Sequence, residues 1–146
     1  MLNKEEIEKR ILSTNEAGLV TILYEAIIDN FEDSIVAIDE KDYNELNYIN
    51  NNSRDILAEL LSTLQGNSEI AKNLKEIYIY INKLLTMGES NKDRTYFEKA
   101  IKITMPLKEG FSELEKNIDP KIVTGLTYGK SNLAEYQLKG NKDFKG

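Results

Sequence analysis

Apolar residues recur at steps of three and four through most of this chain, and helix-capping signals divide that pattern into four segments. This spacing places the apolar side chains on one face of an α-helix, so each segment predicts an amphipathic helix. Ser13 with Glu16 has the spacing of a capping box. The same spacing recurs at Asp42 with Glu45, and Ser68 is a further N-cap residue. The predicted helices cover residues 15–39, 42–65, 68–88 and 90–117.

The connections between the four predicted helices are short, which favours antiparallel neighbours. Gly66 is placed to end the second helix, because glycine readily adopts the left-handed conformation that follows a helix, and the third helix is expected to end near Gly88. Ser90 or Asn91 is then expected to cap the fourth helix. Since no segment alternates as a strand does, the sequence predicts an all-α fold, an antiparallel up-and-down four-helix bundle.

Two segments lie outside the predicted bundle. The first residues have the spacing of a short helical arm, with Ile7, Ile11 and Leu12 on one side. The segment after Pro120 loses long-range periodicity and ends in polar residues, so we expect a flexible, partly disordered tail. The chain therefore divides into an N-terminal arm, a bundle and a C-terminal extension, at residues 1–12, 13–118 and 119–146.

Composition excludes several classes of function. The 146 residues include no histidine and no cysteine, so an imidazole base, a thiolate nucleophile and the histidine ligands of a bundle metal site are all missing. The formal net charge is −6, with 19 basic residues interspersed among 25 acidic ones, which argues against nucleic acid as a partner. No apolar run is long enough for a signal peptide or membrane insertion. We therefore expect a cytoplasmic binding protein without enzyme activity, cofactor or metal.

One segment of the extension imitates a phosphate-binding loop. Gly125 and Gly129 precede Lys130 and Ser131, but three residues separate the glycines where a P-loop has four. No buried strand precedes this segment to aim backbone amides at a phosphate. A nucleotide-dependent enzyme therefore ranks below a binding protein among the functions open to this chain.

Two features of the first and second helices admit more than one interpretation. The first helix has a second apolar line, formed by Val20, Tyr24, Ile28 and Ile35. Either this helix is buried on all sides or one line faces a partner, and burial is the stronger expectation. The second helix contains Asn50-Asn51-Asn52, whose amides are either tolerated on the surface or offered to a partner. For Asn51 and Asn52 we favour surface tolerance.

The third predicted helix carries amide and aromatic side chains beside its main apolar stripe. That stripe is formed by Ile70, Leu74, Ile77, Tyr78, Ile81, Leu84 and Leu85. Asn73 and Tyr80, seven residues apart, lie together on its flank. Ala58 and Leu61 flank the stripe of the second helix in the same way. Because flanking residues often only widen a core, the pattern leaves both core and binding surface open.

Short motifs in three helices occur together in one known family. The third helix contains Asn73-Leu74 and Tyr78-Ile79-Tyr80-Ile81, the first contains Leu23-Tyr24-Glu25-Ala26-Ile27, and the second contains Asp55-Ile56-Leu57-Ala58-Glu59-Leu60. In order and spacing these motifs resemble the FliS-type flagellin export chaperones of bacteria. The chain departs from that pattern at Ser13-Thr14, where the family usually has Ser-Pro, and in its long C-terminal extension.

The resemblance implies a four-helix-bundle chaperone that binds the C-terminal segment of flagellin and prevents premature polymerisation in the cytoplasm during flagellum assembly. It implies a groove in which Asn73 and Tyr80 form hydrogen bonds and whose apolar lining is Ala58, Leu61, Ile77 and Leu84. An export-gate component is a further expected partner.

The N-terminal arm and the oligomeric state are the remaining expectations. From its amphipathic spacing, the arm with Ile7, Ile11 and Leu12 is expected to occupy the same groove when cargo is absent. We expect a monomer or a weak homodimer. The alternative function is a self-associating helical adaptor module unrelated to flagellin, in which the second apolar line of the first helix forms the seam.

Overall fold

A computed structural model of the chain describes residues 16–64 and 66–117. They form four α-helices, which are α1 Glu16–Asp39, α2 Tyr43–Ser62, α3 Glu69–Asn91 and α4 Arg94–Asn117. The predicted capping box at Ser13, the N-terminal arm with Ile7, Ile11 and Leu12, and the extension at 119–146 lie outside the described residues.

The four helices pack around one apolar core. α1 packs against α2 and α4, and α3 packs against the same two helices, so α1 and α3 lie diagonally opposite. The connections are short, and neighbouring helices are therefore antiparallel. The largest fully buried side chains come from all four helices: Tyr24, Tyr78, Phe31, Phe97, Leu19, Ile27, Leu46, Leu60, Ile81 and Leu85. The predicted four-helix bundle is confirmed.

Two of the predicted helix starts are confirmed by their hydrogen bonds. The Asp42 side chain accepts a hydrogen bond of 3.2 Å from the backbone N–H of Glu45. Ser68 Oγ accepts one of 3.2 Å from the N–H of Ala71. Both caps satisfy amides that have no partner within their own helix. Helix α2 ends at Ser62, ahead of its predicted end, and Gly66 adopts its left-handed conformation, φ +77°, in the connection to α3.

Helix α3 ends a little beyond its predicted end near Gly88. Helix α3 continues through Gly88 to Asn91, and Lys92 takes the left-handed cap conformation at φ 52°. A Cβ atom on Gly88 would lie 2.5 Å from the buried ring of Phe97, so the missing side chain lets α3 and α4 approach closely. The predicted caps of α4, Ser90 or Asn91, are wrong, because Asp93 Oδ1 accepts a hydrogen bond of 2.9 Å from the N–H of Thr95.

Helix α1 is buried on almost all sides, as expected from its two apolar lines. Val20, Tyr24 and Ile28 of the second line are buried. The hydroxyl oxygens of Tyr24 and Tyr78 lie 2.5 Å apart across the diagonal of the bundle, and the Tyr24 ring packs against Phe111 with the centroids 5.6 Å apart. Burial raises the pKa of Tyr78 to about 12, whereas the hydrogen bond with Tyr24 has the smaller effect of lowering that pKa.

Two members of the asparagine run of α2 form hydrogen bonds to neighbouring helices, which neither interpretation had anticipated. Asn50 is fully buried, and its Nδ2 donates 3.0 Å hydrogen bonds to the carbonyl oxygen of Leu85 and to Glu89 Oε1. Asn52 Oδ1 accepts a 2.8 Å hydrogen bond from Asn30 Nδ2 of α1. Surface tolerance describes only Asn51, whose neighbours are residues of its own helix.

Candidate partner-binding groove

Helix α3 carries two neighbouring stripes of residues with the same heptad spacing. The core stripe is buried and consists of Ala71, Leu74, Tyr78, Ile81, Leu85 and Gly88. One residue before each of these lies a member of what we call the outer stripe: Ile70, Asn73, Ile77, Tyr80, Leu84 and Met87. A single apolar stripe is enough for a helix to pack in the bundle, whereas a second stripe of this spacing is typical of a helix that also packs against a partner.

The outer stripe borders an open groove between α3 and α4. This α3/α4 groove has a volume of about 530 Å³ and is lined by Asn73, Glu76, Ile77, Tyr80 and Ile103. Four of the lining residues are on α3, and Ile103 lies opposite them on α4. The size falls in the range that binding sites occupy, and the lining combines apolar side chains with a few polar groups.

The groove offers apolar surface that the bundle leaves uncovered. Ile70 is 52% exposed, Tyr80 is 45% exposed and Met87 is 37% exposed. Ile77 and Ile103 are half-buried, so they form the sides of the groove. Ile70 was expected in the main core stripe, and its exposure corrects that prediction. Leu84 is only 3% exposed, so it packs inside the bundle and has almost no surface to offer to a partner.

Two polar side chains of the groove have bonding capacity to spare. Asn73 and Tyr80 are exposed, and neither side chain makes a hydrogen bond with any residue that the structure describes. An amide carries two donor hydrogens and an acceptor oxygen, and a phenol carries one hydroxyl that both donates and accepts. They lie two turns apart on the same line, so they are able to fix the register of a bound helix.

The structure does not place all the predicted binding residues together. Arg54 Nη2 of α2 donates a 3.2 Å hydrogen bond to Thr86 Oγ1, which marks the side of α3 that faces α2. Ala58 and Leu61 follow Arg54 by four and seven residues, so they lie on the same line of α2. Ile79 precedes Thr86 by seven residues on the matching line of α3. We call the surface around these residues the α2/α3 face.

Helix α3 therefore stands between two sets of predicted residues. Asn73, Ile77 and Tyr80 line the α3/α4 groove, whereas Ala58 and Leu61 lie on the α2/α3 face. Sequence reasoning missed the groove residues Glu76 and Ile103. The offset heptad spacing of α3 was a signal for the outer stripe, but no local pattern on α4 shows that Ile103 stands opposite it.

The described residues provide binding chemistry and no recognisable catalytic centre. Within residues 16–64 and 66–117, no three acidic side chains are grouped so that they could hold a metal ion, and the chain has no histidine or cysteine. None of the four described helices is both long and apolar enough to cross a membrane. An open apolar groove between two helices, with an amide and a phenol beside it, resembles the grooves in which other proteins bind amphipathic helices.

Comparison with protein families identifies the family to which the chain belongs. The family model for flagellar protein FliS matches residues 1–118. The chain belongs to the FliS family, which is a family of flagellar chaperones that act in flagellum biogenesis and is not a family of enzymes. No match was found among curated proteins.

Proposed function

We propose that this protein binds the C-terminal segment of flagellin in the α3/α4 groove and keeps it from polymerising in the cytoplasm until export. The observation that carries the proposal is the outer stripe of α3, which has heptad spacing and exposed apolar residues beside an open groove. Membership of a flagellar chaperone family supports flagellin as the partner. We propose that the protein acts by binding alone, as expected of a chaperone family.

The groove is suited to an amphipathic helix. From Ile70 to Met87 the outer stripe extends for about 26 Å at about 1.5 Å per residue, which matches between four and five turns of a bound helix. The apolar face of the cargo would cover Ile70, Ile77 and Met87, while Asn73 and Tyr80 bond to its polar side chains. A flagellin segment covered in this way cannot pack against a second flagellin.

Binding coupled to folding explains how cargo is both protected and released. A disordered segment loses conformational entropy when it becomes a helix on the groove, so net affinity is moderate for the area buried. Moderate affinity lets the cargo leave when an export-gate component, a second proposed partner, competes for it.

The N-terminal arm is proposed to cover the groove through Ile7, Ile11 and Leu12 when cargo is absent. Deletion of residues 1–12 should then raise the affinity for flagellin, and an unchanged affinity would contradict the role of the arm.

The test is calorimetric titration with a peptide that covers the C-terminal segment of a flagellin from the same source. We expect saturable one-to-one binding, weakened about tenfold to a hundredfold by Tyr80→Ala, since truncation of a central aromatic contact often costs about 2 kcal/mol. Asn73→Ala should weaken it less. The matched control is Tyr48→Ala, because Tyr48 is 70% exposed and lies on α2, which does not border the groove. Absence of binding to the folded protein, or equal loss in both tyrosine variants, would refute the proposal.

The predicted binding roles of Ala58 and Leu61 become a narrower proposal. These residues contact flagellin only if the cargo continues round α3 onto the α2/α3 face. Ala58→Asp adds a charge at an exposed position, so weaker flagellin binding by this variant would show that the cargo extends that far.

The self-association alternative is less well supported, because Val20, Tyr24 and Ile28 of its proposed dimer seam are buried inside the bundle. A monomer or weak homodimer remains a prediction, which sedimentation velocity of the protein alone would check.

A further inference from the structure

The α2/α3 face carries a third line of residues on α3, distinct from the core stripe and the outer stripe. Its members are all exposed and follow steps of three and four: Lys72, Lys75, Ile79, Lys83 and Thr86. Ile79 is 58% exposed and stands at the centre of the line. Across from it, α2 contributes Ala58, which is exposed, and Leu61, which is half-buried. An exposed apolar residue thus stands on the same line of α3 as three exposed lysines.

The charge of this face opposes the charge of the protein. The chain has a formal net charge of −6, yet Lys72, Lys75 and Lys83 form no ion pair with any residue that the structure describes. On the facing line of α2, the charge of Arg54 is paired, because its Nη2 lies 3.9 Å from Glu89 Oε1. Glu69 and Glu76 lie three residues before and four residues after Lys72 on α3, but neither forms an ion pair with it. The three lysines are therefore unpaired within the part of the chain that the structure describes.

We propose that the α2/α3 face is a second docking surface, and that it binds an acidic amphipathic helix of a partner protein. Apolar residues of that helix would cover Ile79 and Leu61, and its flanking carboxylates would pair with Lys72, Lys75 and Lys83. The surface goes beyond the proposed flagellin groove, because it lies on the other side of α3.

Two physical arguments favour an acidic helix over nucleic acid at this face. Nucleic acid binding depends on many phosphate contacts, and three lysines in a protein of net negative charge provide few. A phosphate backbone would also leave the exposed Ile79 uncovered, whereas an amphipathic helix brings an apolar side chain to it. Exposed ion pairs are individually weak and screened by salt, so affinity at this face should fall as salt rises.

The experiment uses a synthetic helical peptide with leucine at heptad positions a and d and glutamate at e and g, followed by fluorescence anisotropy. Binding should weaken about tenfold in Lys72→Glu/Lys75→Glu, because two weak attractions become repulsions. Ile79→Asp should weaken it to a similar extent. The matched control is Lys99→Glu/Lys102→Glu, which changes two exposed lysines of α4 with the same spacing and should leave the affinity unchanged.

Several outcomes would overturn the proposal. Equal binding of the same peptide with lysine in place of glutamate would show that charge complementarity plays no part. Equal or tighter binding of a single-stranded oligonucleotide would favour nucleic acid. Loss of binding in the α4 control, with no loss in Lys72→Glu/Lys75→Glu, would place the peptide elsewhere.

A second arm separates this surface from the flagellin groove. With the flagellin peptide at saturation, the acidic peptide should still bind with unchanged affinity, and competition between the two peptides would refute a distinct surface. If the flagellin peptide fails to bind at all, the variants of Lys72, Lys75 and Ile79 still test the acidic helix alone. Failure of one proposal is therefore distinguishable from failure of the other.

Discussion

Helix α3 packs against α2 and against α4 through different kinds of contact. On the α2/α3 face, polar side chains cross between the helices: Asn50 reaches Leu85 and Glu89, Asn47 reaches Glu89, and Arg54 reaches Thr86. On the α3/α4 side, contact depends on close packing at Gly88 and Phe97, and farther along the helices separate into an apolar groove. One seam of α3 is closed by directional bonds, and the other leaves apolar side chains exposed.

This difference suggests how a small bundle keeps a binding groove without collapsing around it. Hydrogen bonds from a buried amide have defined geometry, so Asn50 fixes the position of α3 relative to α2. Apolar contacts have no such direction, and the outer stripe is therefore able to accept side chains from a partner in place of α4. The polar seam and the open apolar groove thus lie on two sides of the same helix. Four predictions test this division of roles, in order of decreasing effect.

Leu84→Ala should cause the largest loss of stability. Leu84 shares the outer stripe with Tyr80 but is buried, so truncation leaves a cavity that costs about 2–5 kcal/mol of unfolding free energy. Met87→Ala is the matched control, because Met87 is the next member of the stripe and is 37% exposed. Chemical denaturation of both variants measures the difference. A loss below that of Met87→Ala would mean that Leu84 belongs to the groove and not to the core.

Ionisation of Tyr78 should destabilise the bundle in alkali. Burial raises its pKa from 10.0 to about 12, so the unfolded chain loses the proton first. Stability is therefore intact below about pH 10 and falls by about 2–3 kcal/mol as pH rises towards 12, at about 1.4 kcal/mol per pKa unit. Denaturation curves across this pH range measure the loss. Tyr78→Phe should show a smaller pH dependence, and equal dependence in both proteins would contradict the assignment.

Asn50→Ala should weaken the polar seam. The variant loses hydrogen bonds to a backbone carbonyl and to a carboxylate, so we expect a loss of about 1–3 kcal/mol in unfolding free energy. Asn51→Ala removes the neighbouring amide, which is exposed and bonds only within α2, and it should change stability by less than about 0.5 kcal/mol. Similar effects from the two variants in urea denaturation would show that the α2/α3 seam does not depend on Asn50.

Ile79→Asp should have the smallest effect on the folded protein. Ile79 is exposed on the α2/α3 face, so the change should alter unfolding free energy by less than about 0.5 kcal/mol and leave flagellin affinity unchanged. Ile77→Asp places the same charge in the α3/α4 groove and should abolish measurable flagellin binding. Calorimetric titration compares the two. Equal losses would mean that the two sides of α3 form a single cargo surface.

Much of the fold could be predicted because helix signals are local. The period of apolar residues gave the four helices, and the side chains of Asp42 and Ser68 gave two of their starts. The roles of Gly88 and Asn50 could not be predicted, because both residues act across a helix interface. Gly88 makes room for Phe97, and Asn50 reaches into α3, and neither neighbour is close in sequence.

The binding surface shows the same limit. The sequence by itself determined that Asn73 and Tyr80 lie beside the core stripe of α3, because side chains three and four residues apart share a helix face. Only the tertiary structure decided that Leu84 is buried, that Ile103 completes the groove, and that Ala58 and Leu61 lie on the other side of α3. The physical reason is that periodicity fixes directions around one helix axis, whereas exposure depends on which helices pack on each side of it.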